Sequence, residues 1–186
     1  RSREEVRCDI RGPYPQSHFS TIRRALEHAS SYCGAMTAPE GYNPADYPPF
    51  AVTVDVVLFT RVDRQLHVLM IERGQDPWKG RLALPGGFVD EDEDLPVAAA
   101  RELKEETGIS APPHLQQLGA YGDPDRDPRM RIVSVAYWAL VDELDEPRGG
   151  DDAADALLVP VDEVLANPDR LASDHHLIIS DAVKRL

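Results

Sequence analysis

Three glutamates near the middle of the chain are spaced so that their carboxylates would share one face of a helix. Glu102, Glu105 and Glu106 stand at i, i+3 and i+4, and side chains at these separations are neighbours on a helix. Three like charges on one face repel one another unless a cation lies among them. Because oxygen is the only donor type, the expected ion is Mg²⁺ or Mn²⁺ rather than Zn²⁺. The spacing therefore predicts a divalent-metal site.

The helix that must carry these glutamates has recognisable ends. Asp94 suits an N-cap, Pro96 is tolerated in the first turn, and Gly108 suits a left-handed C-cap. Pro85-Gly86-Gly87, shortly before the helix, suits a turn in which the backbone passes close to another group. The opposite face is apolar and would seat the helix on a core. It consists of Leu95, Ala99 and Leu103.

The stretch from Gly87 to Ile109 reads GFVDEDEDLPVAAARELKEETGI and resembles the Nudix box at every defining position. Those positions are Gly87, Glu93, Arg101, Glu102, Leu103, Glu105, Glu106, Gly108 and Ile109. The flanks, from residue 52 to residue 186, resemble bacterial Nudix hydrolases of the ADP-ribose pyrophosphatase type. The resemblance implies a Nudix-type α/β/α sandwich with a mixed β-sheet, a pyrophosphohydrolase activity and a homodimer.

The resemblance also implies which residues hold the metal. Glu102 and Glu106 would be the primary ligands, and Glu105 would be a third ligand or act through water. A backbone carbonyl near Gly86 or Gly87 would complete the inner shell. Hydrolysis of a diphosphate needs its charge neutralised and a water placed in line, and a metal held in this way serves both needs.

The resemblance implies catalytic roles for Glu93, Arg101 and Glu105. Glu93 would be an outer ligand or would help to activate water, and Arg101 would orient a carboxylate of the box through its planar guanidinium. The general base is left open between Glu105 and an acid on a separate loop. The loop acids are Asp123, Asp125, Asp127, Asp151 and Asp152.

Side chains that bind the substrate must come from outside the box. The candidates are arginines that would contact phosphate or ribose and a tryptophan that would stack on adenine. They are Arg73, Trp78, Arg81, Arg126, Arg129 and Arg131. Pro124 follows Ile109 by fifteen positions, and a proline at this distance resembles the pattern of ADP-ribose pyrophosphatases. The expected substrate is therefore ADP-ribose, giving AMP and ribose 5-phosphate, with NADH, a nucleotide sugar or a nucleoside triphosphate as alternatives.

A second interpretation is a regulator that binds ADP-ribose without hydrolysing it. Some similar Nudix domains control transcription through an attached winged helix. The intact box favours the hydrolase, and so does the absence of a basic helical region between the core and Leu186.

Composition limits the partners. The 186 residues contain 20 Lys plus Arg and 33 Asp plus Glu, a formal charge of -13. Such a surface repels nucleic acid and anionic membrane. The sequence contains no apolar run of membrane-spanning length, and a cytoplasmic location is expected. Two cysteines, Cys8 and Cys33, do not make a disulfide framework, and their spacing with His18 and His28 matches no compact zinc motif.

Two regions differ in pattern. Residues 1–49 are expected to be an appendage with a short helix at 20–31 and a proline-rich linker, and Met36 stands near an alternative start. Residues 50–186 are expected to form the Nudix hydrolase domain. Their order of strands, helix, strands and terminal helix predicts an α/β sandwich with a mixed sheet. Strands are predicted at 51–60, 66–73, 82–84, 115–122, 131–141 and 157–161, and later helices at 162–166 and from 173 or 174 to 186.

Overall fold

A computed structural model of the protein describes residues 39–43, 46–147 and 153–186. Tyr47–Leu186 form one compact unit. The helix expected at 20–31, and the cysteines and histidines of the N-terminal region, lie outside the described residues. In the part of the chain that is described, no helix is long and apolar enough to cross a membrane.

The described part of this unit contains seven strands and three α-helices. The strands are β1 (Ala51–Val62), β2 (Gln65–Arg73), β3 (Leu82–Ala83), β4 (Gly86–Phe88), β5 (Gln116–Tyr121), β6 (Ile132–Leu140) and β7 (Ala153–Pro160). The helices are α1 (Leu95–Thr107), α2 (Val161–Ala166) and α3 (His175–Val183), with a 3₁₀ turn at Pro168–Arg170.

The strands join in one mixed sheet. Its main order is β3-β2-β1-β6-β5, with β4 paired to β1 and β7 paired to β2. β1 and β6 run parallel, whereas the other pairs are antiparallel. The expected hairpin of β1 and β2 is confirmed, and Asp63 and Arg64 close it with positive φ angles of 51° and 69°. The predicted mixed sheet is therefore confirmed.

Helices cover both faces of the sheet, which explains the nearly continuous apolar sequence of β1. Successive side chains of a strand point to opposite faces. Val57 and Phe59 pack in the cluster formed with α2 and α3. Val56 and Leu58 pack in a second cluster, which contains Leu103 of α1. The result is the α/β/α sandwich that the resemblance implied.

The first helix begins and ends as the sequence predicts. Asp94 is the N-cap and its carboxylate accepts a hydrogen bond from the N–H of Leu95. Gly108 takes a left-handed conformation with φ 73°, and its N–H donates to the carbonyl of Lys104 at 2.9 Å. The ends are fixed locally, so the register that places the glutamates is fixed as well.

Three local predictions need correction. The Pro-Gly-Gly segment contributes a strand, because Gly86–Phe88 pairs with β1. β7 begins at Ala153 instead of 157, since it pairs with β2 as far as Arg73 although its first residues, AADA, are poor strand formers. It ends at Pro160, and Val161 already belongs to α2. The terminal helix is shorter than expected and covers His175–Val183.

Candidate functional site

An open cleft of about 360 Å³ crosses the end of the sheet beside α1. Residues of β1, β4, α1, the loop after β2 and the loop after β5 line it. Acidic and basic side chains both face it. The acidic ones are Asp55, Asp76, Asp90, Glu102, Glu106 and Asp127. The basic ones are Arg73, Arg101, Arg126 and Arg129. The cleft is therefore equipped for a ligand that carries negative charge and needs a cation.

Glu102 and Glu106, one helical turn apart on α1, present their carboxylates to this cleft. Burial raises the pKa of Glu106 to about 8, the charges of Glu102 and Asp55 add to the rise, and the N–H of Gly86 opposes it. That N–H donates to Oε2 of Glu106 at 2.8 Å. Burial also raises the pKa of Glu102, against the effect of Arg101. Both carboxylates would lose this electrostatic cost if a cation bound between them.

The backbone of β4 lies against the two carboxylates. A methyl group at Gly87 would stand 2.4 Å from Oε1 of Glu102, and one at Gly86 would stand 2.1 Å from the carbonyl oxygen of Val54. The backbone obstacle requires glycine at Gly86, whereas a side chain at Gly87 would have to displace the carboxylate of Glu102. The close approach brings backbone groups of Gly86 and Gly87 beside the glutamates.

Arg101 joins Glu93, Glu102 and Glu105 into one network. Its Nη1 donates to Oε1 of Glu102 at 2.7 Å and to Oε2 of Glu105 at 3.0 Å. Its Nε donates to Oε2 of Glu93 at 3.1 Å, and its Nη2 donates to the carbonyl of Phe88 at 3.0 Å. The hydrogen bonds from Arg101 lower the pKa of Glu93. The guanidinium thus fixes the position of Glu102 at the edge of the cleft.

Glu93 and Glu105 do not line the cleft, although both contact Arg101, which does. The side chain of Glu105 is 60% exposed. Among the described residues, no three His, Cys, Asp or Glu side chains converge to hold a metal ion. Glu102 and Glu106 nevertheless fit Mg²⁺ or Mn²⁺, because Mg²⁺ usually binds one or two carboxylates and completes its shell with water and substrate phosphate.

Arg73 and Trp78 form one wall of the cleft. The guanidinium carbon of Arg73 lies 5.9 Å from the centre of the Trp78 ring, and its Nε donates to the carbonyl of Pro77 at 2.8 Å. These contacts hold the indole at the cleft with a cation beside it.

Arg129 and Phe88 form a second aromatic pair in the cleft. The guanidinium of Arg129 lies 5.3 Å from the Phe88 ring centre. Asp127, which is buried, accepts from Nε at 3.0 Å and from Nη2 at 2.8 Å. Although burial raises the pKa of Asp127, the hydrogen bonds from Arg129 lower it overall. The aspartate is therefore charged and fixes the plane of the guanidinium.

Arg126 lines the cleft, but its charge is already paired. Its side chain is 5% exposed, its Nη2 and Nε donate to the carboxylate of Asp174 at 2.7 and 3.1 Å, and Asp55 lies 3.7 Å away. Burial raises the pKa of Asp174, but the hydrogen bonds from Arg126 lower it overall. The structure thus directs this arginine, expected to contact substrate, toward two buried acids.

Arg81 and Arg131 lie outside the cleft lining. Arg81 donates to the carbonyl of Leu171 at 3.3 Å, and Arg131 donates to the carbonyl of Asp123 at 3.0 Å and stands over the Phe50 ring. Of the loop acids considered as general base, Asp127 alone is among the cleft residues, while 151 and 152 lie outside the described residues.

Asp55 and Asp174 were missed by sequence reasoning as site residues. Asp55 is buried in β1 and accepts a hydrogen bond from the hydroxyl of Ser134. A lone aspartate within the apolar run AVTVDVVLFT was the signal available for it. Burial lowers the pKa of His175, so the ring is neutral, and Asp55 and Asp174 oppose that effect.

The fold and the cleft define an α/β domain that presents paired glutamates from a helix. The NUDIX domain model matches residues 49–181, and the chain belongs to this family. The ADP-ribose pyrophosphatase of Methanocaldococcus jannaschii is 39% identical over 135 residues, 72% of this chain and 73% of that protein. The ADPR responsive transcriptional repressor NtrR of Acinetobacter baylyi is 37% identical over 147 residues, 78% of this chain. The chain spans 58% of that repressor's length.

Solved structures give the same family. The NUDIX domain of Shewanella oneidensis NrtR complexed with ADP ribose has a TM-score of 0.72 and 38% identity, over 81% of this chain and 99% of that one. A bifunctional NMN adenylyltransferase/ADP ribose pyrophosphatase of Francisella tularensis, complexed with AMP and Mn ion, has a TM-score of 0.68 and 28% identity, over 89% and 47%. The similar proteins thus include both an enzyme and a regulator.

Proposed function

We propose that the chain is a divalent-metal-dependent pyrophosphohydrolase that prefers ADP-ribose and releases AMP and ribose 5-phosphate. The observation that carries the proposal is the pair of Glu102 and Glu106, which face an open cleft that also contains Arg73 and Arg129. Carboxylates for a metal and cations for a diphosphate thus occur in one site. The similarity to ADP-ribose pyrophosphatases supports the choice of substrate.

In this proposal the box residues have distinct tasks. Glu102 and Glu106 hold Mg²⁺ or Mn²⁺ together with a backbone carbonyl at Gly86 or Gly87. When bound, the metal neutralises charge on the diphosphate and lowers the pKa of a bound water. Arg101 keeps Glu102 in place, and Glu93 and Glu105 act through the guanidinium that they share with it.

The two walls of the cleft would bind the ends of the substrate. Trp78 offers a flat face for adenine, and Arg73 beside it adds a positive charge. Arg129, fixed by Asp127, would contact phosphate or ribose from the other wall. A molecule with a planar base at one end and a sugar at the other, joined by a diphosphate, matches this distribution.

A substrate panel tests the proposal. The full chain is incubated with Mg²⁺ and ADP-ribose, NADH, nucleotide sugars, dinucleoside polyphosphates or nucleoside triphosphates, and the products are separated chromatographically. We expect AMP and ribose 5-phosphate from ADP-ribose at the highest kcat/KM, and no turnover with a chelator. Turnover of nucleoside triphosphates alone would show that ADP-ribose is not the substrate, but it would still agree with metal-dependent hydrolysis.

A regulator that senses ADP-ribose is the second candidate function. The similarity to the repressor NtrR, and to an NrtR domain bound to ADP ribose, favours it. Calorimetry with ADP-ribose, run beside the turnover assay, separates the two functions. Tight binding without turnover, together with retention of DNA, would identify a regulator; turnover with Mg²⁺ and no DNA retention identifies the hydrolase.

We further propose a cytoplasmic homodimer that binds neither nucleic acid nor membrane. Family resemblance supports the dimer, and the net charge of -13 disfavours anionic partners. Light scattering tests the dimer directly, and a monomer would refute it. Deletion of residues 1–35, followed by measurement of mass and activity, shows whether that segment serves association or catalysis.

A further inference from the structure

Two consecutive residues at the start of α3 contact two parts of the cleft lining. His175 contacts the segment that leads into Gly86 and Gly87, and Asp174 contacts the loop that carries Arg126 and Arg129. These two parts of the cleft come from regions far apart in the chain. One dipeptide thus links the glycine turn behind the glutamates to the loop opposite.

His175 fixes the glycine turn through one buried hydrogen bond. The N–H of Leu84 donates to its Nδ1 at 2.8 Å, and its Nε2 lies 3.6 Å from Oδ1 of Asp55. Since Nδ1 accepts, the neutral ring carries its proton on Nε2. The chain before α3 runs along β3, where the N–H of Ala172 donates to the carbonyl of Leu82 at 2.8 Å. The imidazole continues this pairing and supplies the acceptor that Leu84 needs.

The bond at Leu84 lies two residues before Gly86, whose N–H donates to Glu106 at 2.8 Å. The space at Gly87 is fully taken by the carboxylate of Glu102. A shift of this short segment would therefore displace both glutamates. His175 touches neither of them and acts on them through the backbone.

Asp174 binds the loop of Arg126 instead of capping its own helix. It is the N-cap of α3, yet its side chain makes no capping hydrogen bond, because both oxygens accept from Arg126. The preceding Ser173 has a left-handed φ of 46°, and its hydroxyl donates to the carbonyl of Arg126 at 2.6 Å. An aspartate that forgoes its cap, beside a strained serine, indicates a constraint set by the loop and not by the helix.

We propose that Asp174 and His175 are positioning residues for different parts of the cleft. His175 places the glycine turn and thus the metal-facing glutamates, while Asp174 places the loop of Arg126 and Arg129 and thus the wall that carries Arg129. The inference rests on the proposed function of this cleft. It predicts different kinetic defects when either of two adjacent residues is replaced. If the two residues only supported the fold, their replacement would not separate kcat from KM in this way.

A matched pair of substitutions tests His175. His175→Asn places an amide oxygen near the position of Nδ1 and can accept from Leu84, whereas His175→Gln places its amide near Nε2 and leaves that N–H without an acceptor. We expect His175→Gln to lower kcat about 10- to 100-fold with little change in KM, and His175→Asn to restore most of it. In amide exchange by NMR, the N–H groups of Leu84 and Gly86 lose protection in His175→Gln only.

Asp174→Ser tests the other wall. Serine is a favourable residue at the N-cap position of α3, but the paired bonds to Arg126 are lost. We expect a lower melting temperature, because the buried guanidinium of Arg126 loses its carboxylate partner. Well below that temperature, we expect KM for ADP-ribose raised about tenfold with kcat within about twofold, and Kd for ADP-ribose raised in parallel. Protection of the Gly86 amide should stay as in the wild type.

Amide exchange and the Kd for ADP-ribose do not depend on turnover, so they test the inference even if the wild-type chain binds without hydrolysis. If the hydrolase proposal is wrong, the wild-type chain will not turn over ADP-ribose. If the positioning proposal is wrong, the variants will not show the expected changes in amide protection and Kd. The inference is overturned if His175→Gln keeps both kcat and the Gly86 protection. It is equally overturned if both histidine variants behave alike, or if Asp174→Ser gives the same kinetic pattern as His175→Gln.

Discussion

The carboxylate of Glu102 lies where a side chain at Gly87 would have to go, with Oε1 only 2.4 Å from the position of a β-carbon. Gly87→Ala should therefore push Glu102 away from its place and lower activity about 100-fold, mainly by weakening metal affinity. Gly119→Ala is the matched control, because its methyl group would meet a single side-chain atom at 4.0 Å. Titration of activity with Mg²⁺ measures the effect. Equal metal dependence in the two variants would contradict it.

Glu106→Gln should lower kcat about 100-fold or more while leaving the fold intact, because it removes a charge that serves the metal and not the core. Glu105→Gln is the control. Its side chain is 60% exposed and lies outside the cleft, so we expect a smaller loss. Turnover of ADP-ribose and thermal unfolding are measured together. A large loss of stability in metal-free Glu106→Gln would show that this glutamate is structural.

The free energy of unfolding should depend on pH because burial makes it costly to ionise Glu106. Its pKa is about 8 in the fold against an ordinary 4.5, so the folded state binds more protons between these values. This contribution to stability is complete below pH 4.5 and is lost as pH rises through 8. Without metal, the free energy of unfolding should fall on the order of 2 kcal/mol from about pH 6.5 to above pH 8.

Denaturant unfolding with a chelator measures this slope, and Glu106→Gln should flatten it. The window above about pH 6.5 is chosen because the pKa of buried His175 is lowered, so that ring stays neutral throughout. Parallel slopes in the wild type and the variant would assign the pH dependence to other groups.

Arg101→Lys should lower activity about 10- to 100-fold although the charge is kept. A lysine cannot reproduce the fork that reaches Glu93, Glu102 and Glu105 together. Arg170→Lys serves as control, since Arg170 forms an exposed pair with Glu163. We expect a higher Mg²⁺ requirement in the first variant only. Full activity of Arg101→Lys would contradict the proposal that Arg101 orients Glu102.

Trp78→Ala should raise KM for ADP-ribose about tenfold, because stacking of a base on an aromatic ring contributes roughly 1–3 kcal/mol. kcat should change less, since the ring lies away from the glutamates on the Arg73 wall. Phe50→Ala is the control, as Phe50 is exposed and does not line the cleft. Steady-state kinetics measure the effect. An unchanged KM would show that adenine does not stack on Trp78, and Phe88 would be the next candidate.

The helix of the box was readable from sequence because its determinants are local. Asp94, Gly108 and the spacing of Glu102 and Glu106 act within a few residues, and the structure has both caps where they were expected. Arg101 was expected to orient a carboxylate, and it contacts three. β7 was placed too late because its first residues, AADA, have a low strand propensity, which pairing with β2 overrides.

The sequence by itself determined the family, the layered α/β architecture and the glutamates of α1, since these depend on periodicity, caps and spacing. Tertiary structure alone decided which groups surround them. Asp55 and Ser134 are 79 positions apart, Arg126 and Asp174 are 48 apart, and Leu84 and His175 are 91 apart. The physical reason is that contacts between distant residues follow from the pairing of strands and the packing of α3 on the sheet, for which no local pattern in the sequence exists.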